Sequence, residues 1–352
     1  MIKEEDIKSF YKDKTIVVTG GVGSIGSEIV RELLMYDPYA VRIFDNNETG
    51  LFELEQELQS NKIRPLVGDI RDKERLKRAF EGVDIVFHAA ALKHVPLSEY
   101  NPFDAVKTNV IGTKNVLDIA LEEEVEKTIL VSTDKAVNPT NVMGATKLLA
   151  ERLTVSTNYI KGDRKSAFLC VRFGNVLGSQ GSVVPTFRKQ IENGGPITVT
   201  DKIMTRFVMS IPKAVGLILK ATFIGKGGDI FLLKMPVLRV MDLAEVMIEE
   251  FAPRYGHDPE EIEIKSIGKR LGEKIFEELM TEDETENAYD DEEMIVLLPQ
   301  ILETGMLAYD LLGEKPIGGN FRKTQKRAYS SRNAKLLTKN EIRTLLKELN
   351  TE

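Results

Sequence analysis

The sequence predicts an α/β protein with a doubly wound parallel sheet and a smaller C-terminal lobe. Short runs of β-branched and apolar residues recur from residue 15 to residue 233, and helical patterns lie between them. These runs are apolar at nearly every position, which is typical of parallel strands covered by helices on both faces. The predicted strands are 15–19, 41–44, 64–67, 84–87, 129–132, 168–171 and 230–233. In such a sheet, ligands bind at the carboxyl ends of the strands.

The composition is that of a globular protein and argues against nucleic acid or a metal ion as a partner. Of the 352 residues, 42% are hydrophobic and 29% are charged, which is enough apolar material for a large core. The net charge of -7 argues against nucleic acid, because phosphate backbones attract clustered Lys and Arg. The three histidines lack the paired spacing of metal ligands, and the single cysteine, Cys170, excludes a disulfide within the chain.

The sequence carries no recognisable targeting or membrane segment. Its first residues alternate in charge and lack the apolar core of a signal peptide. No uninterrupted apolar stretch approaches the roughly 20 residues that are needed to cross a bilayer. We therefore expect a cytoplasmic protein with no membrane partner, which fits a reducing compartment.

A glycine-rich turn follows the first predicted strand. Gly20, Gly23 and Gly26 lie between that strand and a helical pattern that Ser24 and Ile25 open. Glycines at these positions permit a tight turn, close approach of the backbone to a pyrophosphate, and close packing of helix on sheet. We interpret the turn as the phosphate-binding turn of a Rossmann dinucleotide site, and a plain structural turn is the alternative.

Acidic and small residues after the next three strands fit the rest of a dinucleotide. Asp45 ends the second strand about 20 residues past the glycines, where a carboxylate accepts hydrogen bonds from the adenosine ribose hydroxyls. Because a carboxylate repels a 2′-phosphate, we favour NAD, while Arg42 and Arg71 nearby leave NADP possible. Asp45 could instead cap the following helix. The other predicted cofactor contacts are Asp69, Ile70, Ala89 and Ala90.

These signals divide the chain into two regions. Residues 1–175 are expected to form the NAD(P)-binding Rossmann domain, to which residues 207–235 return with one more strand. After Gly174 the pattern loosens into a stretch that contains Gly and Pro. Residues 176–206 and 236–352 are therefore expected to form the substrate-binding lobe and the C-terminal tail.

The fifth predicted strand leads into a group of reactive side chains. Thr133, Asp134 and Lys135 directly follow it, and Met143 and Lys147 lie four residues apart on a predicted helix. Side chains at the carboxyl end of a strand in this fold face the ligand. A solvated loop and an exposed helix charge are the structural alternatives.

Several motifs along the chain together carry a resemblance to a known enzyme family. They are 91–96 (ALKHVP), 132–136 (STDKA), 138–147 (NPTNVMGATK), 171–179 (VRFGNVLGS), 198–201 (TVTD), 204–207 (MTRF), 272–274 (GEK) and 329–331 (YSS). With these motifs the chain resembles the UDP-N-acetylglucosamine 4,6-dehydratases of the extended short-chain dehydrogenase family, over roughly nine-tenths of its length. The resemblance implies a UDP-sugar substrate, with UDP-N-acetylglucosamine expected, and a homo-oligomer.

The resemblance also implies a reaction in which residues have definite roles. Oxidation at C4 of the hexose acidifies the C5 proton, a base removes that proton, an acid releases the C6 hydroxyl as water, and hydride returns to C6. Lys135 is the expected base and must be neutral, through burial or nearby cations, and Asp134 is the expected acid and must be protonated. Both reach one sugar only if the strand ends near Thr133, since consecutive strand residues point to opposite faces.

One position departs from the general short-chain dehydrogenase pattern. That pattern has Tyr four residues before the catalytic lysine, Lys147, and this chain has Met143 there. A thioether cannot accept the proton of the C4 hydroxyl, which leaves Thr133 or Asp134 to relay it. Some dehydratases of the family also carry Met here, and Lys147 is expected to hydrogen-bond the nicotinamide ribose.

Further residues are expected to contact the UDP-sugar, by resemblance and by chemistry. They are Lys93, His94, Asn175, Arg206 and Glu273. Arg206 offers a planar donor fork to a diphosphate. The alternatives are a packed loop residue for His94, a surface ion pair for Arg206, and an acid at a helix N-terminus for Glu273.

Two other functions are compatible with the sequence. A nucleotide-sugar 4-epimerase shares the fold, the cofactor and the oxidation at C4. It has no need of the Asp134 and Lys135 pair, however, and normally carries the Tyr that Met143 replaces. A non-catalytic NAD(P)-binding sensor or scaffold would explain Met143 but not the pair.

Overall fold

A computed structural model describes residues 3–179, 181–299, 321–325 and 327–349. Its strands are β1 (Thr15–Thr19), β2 (Ala40–Asp45), β3 (Ile63–Val67), β4 (Ile85–His88), β5 (Lys127–Val131), β6 (Ala167–Arg172), β7 (Asn175–Val176), β8 (Ile197–Val199), β9 (Thr205–Met209), β10 (Ile230–Leu233), β11 (Val237–Arg239), β12 (Ile264–Ser266), β13 (Glu278–Met280), β14 (Ala288–Asp290), β15 (Met294–Leu297), β16 (Arg322–Lys323) and β17 (Tyr329–Ser330).

The helices alternate with the strands in the first part of the chain. The α-helices are α1 (Glu4–Tyr11), α2 (Ser24–Leu34), α3 (Glu48–Leu58), α4 (Lys73–Phe80), α5 (Val95–Tyr100), α6 (Pro102–Val106), α7 (Thr113–Glu122), α8 (Val142–Ile160), α9 (Val183–Glu192), α10 (Ile211–Ile224), α11 (Val240–Phe251) and α12 (Lys339–Glu348). A π-helical segment spans Lys107–Gly112, and 3₁₀ turns span Asp134–Ala136, Ala252–Tyr255, Pro259–Glu261 and Asp283–Asn287.

A ten-stranded sheet has the order β16-β14-β15-β10-β6-β5-β4-β1-β2-β3. From β3 to β10 all neighbouring strands pair in parallel, and β15 pairs antiparallel to β10. The strand order reverses between β1 and β4, and such a switch point is where doubly wound sheets bind ligands. All seven predicted strands are in this sheet, so the predicted fold class is confirmed.

Successive side chains of the strands enter apolar layers on opposite faces of the sheet. In β1, Ile16 and Val18 pack in the cluster that includes α2 and α10, whereas Val17 packs in the cluster that includes α4 and α7. Both faces of the strand are therefore buried under helices. This explains why the strands read as continuous apolar runs rather than as alternating ones.

A second core lies in the smaller lobe. Helices α9, α11 and α12 contribute apolar side chains to it, while β9 lies between β7 and β11 and β8 pairs with β12. The division of the chain into two regions stays a prediction, and one feature differs from it. Strands β14 and β15 fall in the predicted lobe but extend the main sheet, because the buried apolar run Met294–Leu297 pairs along the edge of β10.

Candidate active site

A cleft of about 830 Å³ lies at the carboxyl ends of the parallel strands. All residues predicted to bind the cofactor line it, namely Gly20, Gly23, Ser24, Ile25, Gly26, Asp45, Asp69, Ile70, Ala89, Ala90 and Lys147. The cleft is also lined by Lys93, His94, Thr133, Lys135, Met143 and Asn175. The predicted cofactor contacts and most of the predicted catalytic residues therefore meet in one space.

The glycine turn after β1 has no room for a side chain at Gly20 or at Gly26. Gly20 has φ +68°, a left-handed conformation, and a Cβ there would lie 2.6 Å from the amide nitrogen of Ala90. A Cβ on Gly26 would lie 2.2 Å from the carbonyl oxygen of Gly20. Gly23 is the N-cap of α2 and lines the cleft. The turn is thus a cradle in which backbone N–H groups at a helix N-terminus can hold a pyrophosphate.

Asp45 holds the turn after β2 and does not cap the next helix. Its carboxylate accepts hydrogen bonds from the backbone N–H groups of Val22 at 3.2 Å and Asn47 at 3.0 Å. The N-cap of α3 is Asn47, whose side chain accepts a hydrogen bond from the N–H of Gly50 at 3.1 Å. The helix-cap alternative for Asp45 is therefore wrong, and its carboxylate lines the cleft.

The two arginines that left NADP possible both have partners within the protein. Arg42 donates to the carbonyl oxygens of Ala79 at 2.7 Å and Glu81 at 2.8 Å. Arg71 forms an ion pair with Asp69 at 2.5 Å. With both guanidinium groups paired, the carboxylate at the end of β2 dominates the charge beside the expected ribose, which favours an unphosphorylated cofactor.

We expect Asp45→Ala to weaken discrimination between NAD and NADP. The variant removes a negative charge and its acceptor oxygens, so the affinity for NAD should fall by about 1.5–3 kcal/mol while that for NADP falls less or rises. Calorimetric titration with each cofactor measures the ratio of the two affinities. Asp72→Ala is the control, because Asp72 caps α4 outside the walls of the cleft. An unchanged ratio in Asp45→Ala would contradict the role of this carboxylate.

The predicted acid and base form an ion pair directly after β5. The strand ends at Val131 and a 3₁₀ turn follows, so Asp134 and Lys135 are not held on opposite faces of a strand. The Nζ of Lys135 donates to Oδ1 of Asp134 at 2.9 Å, and the hydroxyl of Thr133 donates to the same oxygen at 2.8 Å. Strand β5 therefore ends near Thr133, which is required if Asp134 and Lys135 are both to reach one sugar.

Burial distinguishes the two members of this ion pair. The Asp134 side chain is fully buried, whereas that of Lys135 is 24% exposed. Within the described residues, the walls of the cleft include Thr133 and Lys135 but not Asp134, and Oδ2 of Asp134 has no hydrogen-bond partner there. Lys135 therefore faces the cleft directly, and Asp134 lies behind it.

The pKa of Lys135 departs from the predicted direction. Burial acts to lower this pKa, as expected, but the carboxylates of Asp134 and Glu277 outweigh burial and the opposing charge of Arg206, so that the pKa is raised. Lys135 is an ammonium in this arrangement. It must pass a proton to another group before it can act as a base.

Helix α8 presents Met143 and Lys147 to the cleft. The side chain of Asn141 caps the helix, and the Nζ of Lys147 donates to the carbonyl oxygen of Val131 at 2.6 Å. Burial lowers the pKa of Lys147 to about 8. The alternative that Lys147 is an exposed helix charge is wrong, because the side chains of Met143 and Lys147 are both buried in the cleft wall.

A buried ion-pair network fastens α8 to the sheet beneath the cleft. Glu151, one turn after Lys147, pairs with Arg172 of β6 at 2.7 Å and accepts a hydrogen bond from the hydroxyl of Ser132 at 2.5 Å. Arg172 also pairs with Glu284 at 3.1 Å. Arg172 is buried and pairs with carboxylates from two separate segments, Glu151 of α8 and Glu284. The network therefore fixes α8 relative to the ends of β5 and β6.

A smaller cavity of about 150 Å³ adjoins the cleft, and Lys135 and Asn175 line both. Arg206 and Glu273 line only the smaller one of these two. The Arg206 guanidinium donates to three backbone carbonyl oxygens at 2.8, 3.2 and 2.8 Å, and Glu273 lies 3.7 Å from it. Because Arg206 is buried, the alternative that it forms a surface ion pair is wrong. Most of its N–H donors, however, are already used by these carbonyl oxygens. Its diphosphate role and the sugar contact of Glu273 stay predictions.

Lys93 and His94 lie at the open edge of the first cleft, where both are exposed. A Cβ on Gly181 would lie 2.8 Å from Cε1 of His94, so the imidazole packs against the loop that precedes α9. His94 thus contacts this loop but stays exposed, and it also lines the cleft. A sugar contact by either residue stays a prediction.

Glu277 is a site residue that sequence reasoning missed. It is 2% exposed and lines the smaller cavity, and its Oε1 lies 3.8 Å from the Nζ of Lys135 and 3.8 Å from the Nε of Arg206. Burial raises the pKa of the Glu277 carboxyl, against the opposing effect of Lys135. Glu277 lies three residues after the 272–274 motif, which is a signal that it belongs to the site. The sequence spacing does not show, however, that this segment packs against the turn after β5.

The sheet order, the glycine cradle and the lysine of α8 define a Rossmann-fold protein of the short-chain dehydrogenase class. Residues 16–299 match the family described as polysaccharide biosynthesis protein, and the chain belongs to this family. A UDP-N-acetylglucosamine 4,6-dehydratase (inverting) of Campylobacter jejuni is 40% identical over 87% of this chain and 90% of its own. The family resemblance carried by the motifs is confirmed.

Other similar proteins carry different names. A protein of Methanocaldococcus jannaschii named an uncharacterized membrane protein is 59% identical over 98% of both chains. A UDP-glucose 4-epimerase of Rickettsia rickettsii is 36% identical over 96% of both. The X-ray structure of Pen from Bacillus thuringiensis matches with a TM-score of 0.85 and 43% identity, over 96% of this chain and 98% of that one. In the parts of the chain that the structure describes, no helix is long and apolar enough to cross a membrane.

Proposed function

We propose that the protein catalyses the NAD-dependent 4,6-dehydration of a UDP-N-acetylhexosamine, with UDP-N-acetylglucosamine as its substrate. The coarser assignment, an enzyme of the nucleotide-sugar dehydratase and epimerase class, follows from the family and the relatives. The observation that supports dehydration is the Asp134 and Lys135 ion pair beside the cleft. Oxidation confined to C4 needs no such pair, whereas elimination of water across C5 and C6 needs an acid and a base together.

The cleft fits NAD. The crowded glycines would let a pyrophosphate come close to the backbone at the N-terminus of α2, and the carboxylate of Asp45 suits an unphosphorylated ribose. Lys147, which lines the same cleft, would hold the nicotinamide ribose. When bound, NAD would supply the oxidation at C4 and the return of hydride to C6.

A single proton transfer within the ion pair would prepare both the acid and the base. Across the 2.9 Å hydrogen bond, the ammonium of Lys135 can pass a proton to Asp134, which leaves an amine and a carboxylic acid. Burial lowers the cost of this neutral pair, although the ion pair is the resting state. The amine then removes the C5 proton, and the proton on Asp134 leaves with the C6 hydroxyl as water. This step regenerates the ion pair.

Thr133 connects the buried Asp134 to the cleft. Thr133 lines the cleft, and its hydroxyl lies 2.8 Å from Oδ1 of Asp134. A proton can therefore pass between Asp134 and a sugar hydroxyl through Thr133. The same hydroxyl is the candidate for relaying the proton of the C4 hydroxyl to water in the cleft, because Met143 has no group that can accept it and Asp134 already holds the proton from Lys135.

A 4-epimerase is the second candidate, because a relative over nearly the whole chain bears that name. It would use the same oxidation at C4 but leave the C5 proton and the C6 hydroxyl in place. Met143 at the usual Tyr position argues against it, and the ion pair would have no use in it. The cytoplasmic location and the homo-oligomer stay predictions.

Incubation of the purified protein with NAD and UDP-N-acetylglucosamine tests the proposal. Dehydration predicts a product lighter by one water in the mass spectrum. An isomer of unchanged mass would instead indicate an epimerase. If NAD binds but neither UDP-N-acetylglucosamine nor its galacto isomer changes, the sensor or scaffold would be favoured.

A further inference from the structure

Glu277 and Lys135 face each other at the junction of the two cavities, although they lie far apart in the sequence. Lys135 belongs to the turn after β5, and Glu277 directly precedes β13. The Oε1 of Glu277 lies 3.8 Å from the Nζ of Lys135, and its Oε2 has no hydrogen-bond partner within the described residues. A carboxylate as buried as this one requires a cation or a ligand to offset its lost hydration.

Contacts from the C-terminal tail hold Glu277 in place. Its backbone N–H donates to the hydroxyl of Ser331 at 2.9 Å, and the N–H of Ser331 donates to its carbonyl oxygen at 2.8 Å. The hydroxyl of Thr205 also donates to the hydroxyl of Ser331, at 2.8 Å. Because Ser331 is fully buried, it fixes Glu277 against β9, the strand that carries Arg206.

We propose that Glu277 is a positioning residue that, together with Asp134, holds the Lys135 amine between two carboxylates at the junction of the cavities. This inference rests on the proposed function, since it gives Glu277 a part in the same elimination. Asp134 approaches the amine from behind the cleft wall, and Glu277 approaches it from the wall of the smaller cavity. The amine is thereby kept at the boundary of the two cavities, both of which Lys135 lines.

The charges around Lys135 give this arrangement a measurable consequence. Asp134, Glu277 and Arg206 face Lys135, and Lys274 acts on Glu277. Removing the negative charge of Glu277 should lower the pKa of Lys135, so that the free amine is present at lower pH. A purely structural Glu277 would change the rate or the stability without moving this titration.

Glu277→Gln in the NAD-loaded protein tests the proposal. The active pair holds one proton, which it loses at high pH as Lys135 titrates, so we expect the falling limb of kcat against pH to shift to lower pH. The titration of Lys135, followed by competitive acetylation and mass spectrometry, should shift the same way. Glu278→Gln is the matched control, because Glu278 carries the same charge one residue further on and accepts a hydrogen bond from Asn138 instead. It should leave both curves in place.

An unchanged titration of Lys135 in folded Glu277→Gln would overturn the proposal. Glu277→Asp, which withdraws the charge by one methylene group, should give a smaller shift in the same direction and decides the question if the Gln variant does not fold. The labelling curve needs no substrate. Failure of the wild-type protein to dehydrate a UDP-sugar would therefore count against the proposed function and not against this inference.

Discussion

Lys135→Met is expected to stop dehydration while NAD still binds. The variant keeps much of the side-chain volume but removes the amine that takes the C5 proton, and loss of a general base typically costs about 10²–10⁴-fold in rate. This loss of rate should appear as a lower kcat. Oxidation at C4 does not need Lys135, so the absorbance of reduced cofactor should accumulate when UDP-N-acetylglucosamine is added. Stopped-flow absorbance and mass spectrometry of the product measure the two steps separately.

Two comparisons make the Lys135→Met result specific. Lys202→Met removes the same charge from an exposed turn and should leave both steps unchanged. Calorimetric titration with NAD shows whether the variant keeps its cofactor site, which the loss of a cation shared by Asp134 and Glu277 could disturb. Dehydration within about tenfold of wild type would mean that another group removes the C5 proton.

Gly26→Ala is expected to remove NAD binding and to destabilise the protein. The added Cβ would lie 2.2 Å from the carbonyl oxygen of Gly20 and 2.8 Å from the Cα of Gly21, so backbone must move. Overpacking of this kind costs about 1–3 kcal/mol of stability. The displaced groups are those expected to hold the pyrophosphate, and each 1.4 kcal/mol of lost binding is about tenfold in affinity. Thermal unfolding and calorimetry measure the two effects.

Gly216→Ala is the matched control for Gly26→Ala. Gly216 lies inside α10, and a Cβ there would meet no atom within 4 Å. The same substitution should therefore leave NAD binding unchanged and raise stability by about 0.5–1 kcal/mol, because Gly weakens helix interiors. If Gly26→Ala bound NAD as tightly as Gly216→Ala, the glycine turn would not be the pyrophosphate site.

The fold and its binding edge could be predicted because they depend on local patterns. Apolar runs such as 15–19 and 84–87 reveal strands buried on both faces, and helices between them require parallel pairing. A parallel sheet brings the ends of its strands to one edge. The turns that carry Gly20, Asp45 and Thr133 therefore had to meet, as the cleft shows.

The charge state of the site could not be predicted in the same way. Whether Lys135 is an amine or an ammonium depends on Asp134 beside it and also on Glu277, which reaches it through the packing of a distant segment held by Ser331. A local pattern does not tell which distant segments pack together. The same limit applies to Arg42, whose guanidinium faces the carbonyl groups at the end of α4 instead of the cofactor cleft.

Proton NMR of UDP-N-acetylglucosamine, incubated with the protein and NAD in deuterated water, tests the central claim most directly. Our account predicts a new methyl signal at C6 and deuterium at C5, because a base removes the C5 proton and solvent replaces it. The couplings around C5 also report whether its configuration is inverted. Formation of the galacto isomer with protium at C5 and an intact C6 hydroxymethyl group would contradict the account and indicate an epimerase.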